Sequence, residues 1–132
     1  MINAIFVNLP VANLAKSVEF FTALGFTFNE QFTDETSTCM IIGENMYSML
    51  MEHAKFEGFI DKKIASRDTA EAILSLSCGS KEEVRELAEK AFAAGGRQVN
   101  DAEDIGFMYS WAFEDLDGHL WDLFWMNPDH VQ

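Results

Sequence analysis

The sequence is poor in cysteine and in basic side chains, and it has no long apolar run. Its two cysteines, Cys39 and Cys78, lie far apart and form no CxxC or other metal-type spacing. With 9 basic against 22 acidic side chains the net charge is -13, which disfavours nucleic acid and anionic membranes as partners. No apolar run approaches the length of a membrane span, and residues 1–6 show neither a basic segment nor a cleavage site. We therefore expect a cytoplasmic protein with reduced thiols.

Common catalytic motifs are missing as well. The sequence contains no GxGxxG, GxxxxGK[ST], GxSxG or HExxH. What it does contain is apolar material: 48% of its 132 residues are hydrophobic and twelve are Phe. That length fits one domain, and the aromatic content indicates a core together with an apolar cavity or interface.

The first part of the chain predicts a strand, a helix and three strands. Asn13 is a suitable N-cap for a helix that ends near Leu24, and Gly25 stands where a C′ glycine belongs. Strands are predicted from alternating or β-rich runs at residues 4–11, 26–32, 38–42 and 46–52.

The second part repeats this order. Ser80 and Glu83 form a capping box for a helix that Gly95-Gly96 ends near residue 94. Strands are predicted at residues 72–78, 97–100, 107–113 and 120–126. We therefore predict a single domain, residues 1–132, with a βαβββ module at about 1–53, a linker at about 54–70 and a second module at about 71–127. The linker is either a mobile connector or a lid.

Two stretches carry a family resemblance. The first has Asn13-Leu14 at the helix cap, an aromatic pair at Phe20-Phe21 and the closing Leu24-Gly25-Phe26. The second, residues 113–123, reads FEDLDGHLWDL and is similar to the pattern F-x-D-P-D-G-x-x-x-E-L. Together with the duplicated order of elements, these stretches resemble the vicinal oxygen chelate superfamily, which includes glyoxalases, bleomycin-resistance proteins and extradiol dioxygenases.

The resemblance implies a fold and a range of functions. The fold class would be α+β, with two βαβββ modules forming curved mixed sheets around a cavity. Metalloenzymes of this superfamily hold a divalent cation there by up to four side chains, and the cation acts as a Lewis acid on the substrate. The bleomycin-resistance members bind the drug without a metal. Most members pair, so we expect a homodimer.

The standard metal positions of the superfamily fall on Phe6, Leu50, Ile73 and Asp122 in this sequence. Phe, Leu and Ile offer no lone pair, while a catalytic metal site typically needs about three protein ligands. We therefore expect no metal at the standard site and no cofactor.

A rebuilt metal site is the alternative. Strand alternation puts Leu50 and Glu52 on one face, and Glu52, His53 and Asp122 would supply oxygen and nitrogen ligands. Asp122 itself is flanked in its strand by large apolar residues. It is either a cavity acid that fixes a ligand or acts as a general base, or a structural acid bonded to neighbouring strands.

The remaining cavity candidates also have two interpretations. Asn8 and Ser75 share strand faces with Phe6 and Ile73, where they would orient a ligand or satisfy each other. Trp111 lines the cavity or packs in the core. The full set of predicted cavity residues is Phe6, Asn8, Leu50, Glu52, Ile73, Ser75, Trp111 and Asp122.

Two main functions follow, and the sequence leaves the choice between them open. The first is a metal-independent binding protein for a small, largely apolar or cationic molecule. The second is a lactoylglutathione-lyase-like enzyme, or another superfamily enzyme, with a rebuilt metal site. A role in subunit interaction alone is a third.

Overall fold

The computed structural model describes residues 1–130 and divides the chain into two compact units. The first unit is Met1–Ser66 and the second begins at Arg67, so the boundary lies inside the predicted linker. Each unit contains one open, mixed β-sheet and one long helix. The predicted α+β class is confirmed.

The first unit has a four-stranded sheet in the order β1-β4-β3-β2. Strand β1 runs parallel to β4, and the other pairs are antiparallel. In chain order the elements are β1 (Ile5–Val11), α1 (Leu14–Leu24), β2 (Thr27–Asn29), a 3₁₀ helix (Glu30–Phe32), β3 (Ser37–Gly43), β4 (Met46–Glu52) and α2 (His53–Glu57).

Helix α1 begins and ends where the sequence predicts. The Asn13 side chain accepts a hydrogen bond from the backbone N–H of Lys16 at 3.0 Å. Gly25 takes the left-handed conformation, with φ of 103°, that closes the helix. The apolar face of α1 is buried, including Phe21 at 1% exposure.

The second unit also has a mixed sheet, in the order β5-β9-β8-β6, with a short extra strand β7 paired to β8. Strand β5 runs parallel to β9, and the other pairs are antiparallel. The elements are β5 (Ile73–Ser77), α3 (Lys81–Ala93), β6 (Arg97–Gln98), β7 (Glu103–Asp104), β8 (Met108–Glu114) and β9 (Leu120–Met126).

The predicted capping box of α3 is present in a modified form. Ser80 Oγ accepts from the backbone N–H of Glu83 at 3.1 Å. The Glu83 carboxylate in turn accepts from the N–H of Gly79 at 2.6 Å, one residue before the cap. Val84, Ala88 and Ala91 form the fully buried face of the helix. None of the helices within residues 1–130 is long and apolar enough to cross a membrane.

Two predicted strands are shorter than expected. The strand predicted at 26–32 ends at Asn29, because the Asn29 side chain accepts from the N–H of Gln31 and turns the chain into a 3₁₀ helix. The strand predicted at 97–100 is limited to β6 at Arg97–Gln98, and an unpredicted short strand, β7, follows after residues 99–102. The Trp111 indole N–H donates to the Asn100 carbonyl at 3.1 Å and holds this interruption against β8.

Candidate ligand-binding site

The register of the second sheet brings three predicted cavity residues onto one face. Ser75 pairs with Asp122 across β5 and β9, and Ile73 is on the same side of β5 as Ser75. The opposite face of β9 carries Trp121 and Leu123, each 1% exposed, and packs against α3. Ile73 is 64% exposed, so we call the side with Asp122 the open face of the second sheet.

Within residues 1–130, Asp122 has one side-chain hydrogen-bond partner. Ser75 Oγ donates to Oδ2 of Asp122 at 3.2 Å. Partial burial raises the pKa of Asp122, and the hydrogen bond from Ser75 opposes that rise. Ser75 therefore bonds to Asp122, and the carboxylate keeps accepting capacity for another donor.

A cavity of about 190 Å³ lies beside Asp122, at the interruption between β6 and β7. The chain leaves the sheet there and rejoins it where Glu103 pairs with Ser110 of β8. The residues that line the cavity are Asn100, Asp101, Glu103, Ser110, Trp111, Ala112 and Asp122. Three of these carry carboxylates and none is basic, so the lining favours a positive charge.

Trp111 contributes to the wall of this cavity and also to packing. Its ring meets Phe92 of α3 edge-on, with ring centroids 5.2 Å apart. Its indole N–H donates a hydrogen bond to the Asn100 carbonyl. Trp111 therefore lines this cavity and also packs on α3, which sets the orientation of its ring.

In the first unit, Phe6 and Asn8 lie on an exposed face of the sheet. Phe6 is 48% exposed and stacks on Tyr47 of β4, with ring centroids 4.6 Å apart. Asn8 pairs with Met49 in the parallel register of β1 and β4. The Asn8 side-chain amide donates to the Phe6 carbonyl at 3.2 Å, so Asn8 forms a local hydrogen bond.

Leu50 and Glu52 lie on the other face of that sheet. Leu50 is fully buried, and Glu52 Oε2 accepts from the backbone N–H of Leu14, at the start of α1, at 3.0 Å. The prediction that Leu50 and Glu52 face a cavity is therefore wrong by one position along β4. Met49, the residue before Leu50, lies on the exposed face with Phe6.

The residues present do not fit the metal site of the superfamily. Phe6 and Ile73 have no donor atom, and Glu52 is engaged by the first turn of α1. His53 opens helix α2 with an exposed side chain. Within residues 1–130 no group of three or more His, Cys, Asp and Glu side chains is placed to hold a metal ion. Glu52 and His53 belong to the first unit and Asp122 to the second, so the rebuilt site stays a prediction.

Most residues of the cavity wall are not among the cavity residues predicted from the sequence. The sequence predicts a strand at 97–100 that includes Asn100 and one at 107–113 that includes Ser110 and Ala112, and it gives Asp101 and Glu103 no element. The available signal was the Asn100-Asp101 pair, since both residues favour turns. Their turn chemistry at the end of the strand predicted at 97–100 marks the interruption that opens the cavity.

Comparisons with known proteins agree with this fold. The sequence model of the bleomycin resistance protein-like N-terminal family matches residues 4–43. A hypothetical protein from S. aureus is 31% identical with a TM-score of 0.79, over 94% of each chain. A glyoxalase-related enzyme from Fulvimarina pelagi has a TM-score of 0.80 at 16% identity, over 95% of this chain and 88% of that one. Among curated proteins, no sequence matches this chain.

A further solved structure is described as a glyoxalase/bleomycin resistance protein/dioxygenase family enzyme from Burkholderia phytofirmans. It has a TM-score of 0.76 at 16% identity, over 92% of this chain and 96% of that one. At this identity the likeness concerns the fold. With the match of residues 4–43 and the duplicated sheet plan, the chain has the fold of the glyoxalase/bleomycin resistance/dioxygenase proteins, which supports the predicted resemblance to the vicinal oxygen chelate superfamily.

Proposed function

We propose that this protein is a metal-independent small-molecule-binding protein whose ligand carries an organic cation. The observation that supports this is the acid-lined cavity beside Asp122 on the open face of the second sheet. The match of residues 4–43 to a bleomycin resistance protein-like family favours a ligand-binding protein rather than an enzyme.

The charge of the cavity supports a cationic ligand. Asp101, Glu103 and Asp122 line it, and none of the three forms a salt bridge in the described part of the chain. A partly buried carboxylate gains most from a donor that carries charge, because charge-assisted hydrogen bonds are about twice as strong as neutral ones. The net charge of -13 attracts cations and repels anions over a longer range.

The size of the cavity limits the ligand. Pockets for drug-sized molecules measure roughly 300–1,000 Å³, whereas this one is about 190 Å³. It therefore encloses a single small group, such as an amidinium, a guanidinium or an alkylammonium. The remainder of a larger ligand would lie along the open face toward Ser75 and Ile73.

Benzamidine, benzamide and benzoate test the proposal, because they share a shape and differ in charge. In buffer with excess EDTA, we expect benzamidine to raise the melting temperature and the other two to leave it unchanged. Asp122→Asn should weaken benzamidine binding by about tenfold or more, since one charge-assisted hydrogen bond contributes roughly 1.5–3 kcal/mol. Isothermal calorimetry gives the dissociation constants.

Glu89→Gln is the matched control, because Glu89 is an exposed acid of α3 outside the cavity lining. It should bind benzamidine as the unmodified protein does. Equal binding of benzamidine and benzamide would refute the cationic ligand. Stabilisation that needs zinc, nickel, manganese or iron and disappears in EDTA would refute metal independence.

We also propose that the protein is a homodimer. Each sheet leaves a large apolar side chain exposed, with Phe6 at 48% and Ile73 at 64%, and contact with a second copy would remove this apolar surface from water. Light scattering after gel filtration should give about twice the chain mass of 14.9 kDa at micromolar concentration. A mass equal to one chain would contradict the proposal.

A further inference from the structure

Arg67, the first residue of the second unit, is bonded to the turn between β8 and β9. Its guanidinium donates to the backbone carbonyl of Leu116, and its Nη2 lies 3.4 Å from Oε1 of Glu114. The Glu114 side chain is only 10% exposed, and its other oxygen accepts from Arg97 at 2.7 Å. The carboxylate of Glu114 is thus shared by two guanidinium groups.

Gly118 makes room for this contact. It has a φ of 89°, which disfavours a side chain. A Cβ atom at Gly118 would also lie 2.9 Å from Cγ of Arg67 and 3.3 Å from its carbonyl oxygen. Both the backbone and the side chain of Arg67 therefore pass over the turn at a distance that only glycine permits.

The turn beneath Arg67 is itself held firmly. Asp115 is 3% exposed and its carboxylate accepts from the indole N–H of Trp121 at 3.0 Å. It also accepts from the backbone N–H groups of Asp117 at 2.9 Å and His119 at 3.0 Å. Arg67 is therefore bonded to a turn that its own internal hydrogen bonds keep in place.

We propose that Arg67 is a clasp that fastens the start of the second unit, directly after the connecting segment of residues 58–66, to the β8–β9 turn. The connecting segment is mostly exposed and carries Lys62 and Lys63. The clasp holds the chain that enters the sheet of the second unit, because Arg67 is bonded to the turn through Leu116 and Glu114.

Limited digestion with trypsin tests the clasp, because trypsin must take a Lys or Arg side chain into its specificity pocket. Exposed segments of this kind are preferred sites of nicking. In the unmodified protein we expect cleavage after Lys62 and Lys63 to be at least tenfold faster than cleavage after Arg67. Mass spectrometry of the fragments gives the rate at each bond.

Glu114→Gln weakens the clasp and keeps the Arg67 cleavage site. Cleavage after Arg67 should then rise about fivefold or more, while cleavage after Lys62 and Lys63 stays the same. Arg97→Ala is the matched control, since it removes the other guanidinium from Glu114 and leaves Arg67 bonded to Leu116 and Glu114; its cleavage after Arg67 should stay slow.

Cleavage after Arg85 and Lys90 inside α3 reports any general loss of structure in these variants. If Glu114→Gln speeds those bonds too, the ratio of Arg67 cleavage to α3 cleavage is the deciding quantity. An unchanged ratio would overturn the clasp. Equal rates after Arg67 and Lys63 in the unmodified protein would overturn it as well.

Discussion

Ser48 has a buried hydroxyl group without a hydrogen-bond partner in the described residues. It lies in β4 and is fully buried. Among the buried side-chain oxygen and nitrogen atoms of residues 1–130, only its Oγ makes no hydrogen bond. Its neighbours in the sheet are Val7, which has no side-chain acceptor, and Met40, whose thioether sulfur accepts only weakly. A buried polar group without a partner carries its full desolvation cost.

We expect Ser48→Ala to increase the free energy of unfolding by about 1 kcal/mol, because the substitution removes the unpaired hydroxyl and leaves only a small void. Urea denaturation followed by circular dichroism measures the change. A loss of stability would show that the hydroxyl has a partner in solution, such as a buried water.

Thr38→Val is the matched control for this residue. Thr38 is also buried, at 1% exposure, but its Oγ1 bonds to Oγ1 of Thr33 at 2.8 Å. Removing that bond should cost about 1 kcal/mol. The two substitutions therefore have opposite expected signs in neighbouring strands.

At the scale of elements, Glu52 joins the end of β4 to the start of α1. Its carboxylate accepts from the N–H of Leu14, one of the donors that a helix leaves unpaired in its first turn. An acid there also interacts favourably with the helix dipole.

Glu52→Ala should lower the free energy of unfolding by about 1 kcal/mol, the usual cost of losing an N-terminal acceptor. Urea denaturation is again the measurement. Glu57→Ala is the control, because the Glu57 side chain is exposed and makes no hydrogen bond or ion pair within residues 1–130. Equal effects of both substitutions would contradict this role for Glu52.

Asp34 connects the segment before β3 to α2. Lys55 Nζ donates to its Oδ2 at 2.8 Å, and the N–H and hydroxyl groups of Thr36 and Ser37 donate to its Oδ1. The hydrogen bond from Lys55, with that from the N–H of Thr36, holds the pKa of Asp34 well below its ordinary value of 3.8.

The pH dependence follows from the sign of that shift. A carboxyl with a lowered pKa in the folded state contributes stability above its ordinary pKa and loses it as the pH falls toward the folded value. Asp34→Asn should therefore flatten the fall in stability below about pH 4. Melting temperatures between neutral and acidic pH measure this.

Glu35→Gln is the control for Asp34, because Glu35 is the adjacent exposed acid. It should leave the acid limb of the stability curve close to that of the unmodified protein. An acid limb for Asp34→Asn that matches this control would contradict the role of Lys55 and Asp34.

Elements with local signals were predicted well from the sequence. Helix α1 has its cap and its C-terminal glycine within a few residues of its ends, and β4 occupies Met46–Glu52 as expected. The interruption between β6 and β7 was missed because it depends on contacts with β8, such as that of Trp111 with Asn100. Those contacts join residues whose pairing the local pattern does not encode.

At the scale of the whole molecule, tryptophan fluorescence follows the unfolding of the second unit only. Trp111, Trp121 and Trp125 all lie in the second unit, whereas far-ultraviolet circular dichroism reports on both. A domain of about 60 residues buries only about 60% of its unfolded surface and is marginally stable alone.

The predicted single domain therefore implies coincident unfolding curves from tryptophan fluorescence and circular dichroism. We expect the urea midpoints of the two signals to agree within about 0.2 M, as for a two-state transition. Separate midpoints would show that the two units unfold independently and would contradict the single-domain prediction.

The sequence by itself determined the duplicated order of elements, the helix ends and the acidic charge, because caps, turns and alternation act within a few residues. It also determined that Phe6 and Ile73 cannot bind a metal. Only the tertiary structure decided which faces Leu50 and Glu52 occupy, and it brought Ser75 to Asp122 across 47 residues. Strand register causes this difference, since a slip of one residue moves every side chain to the other face.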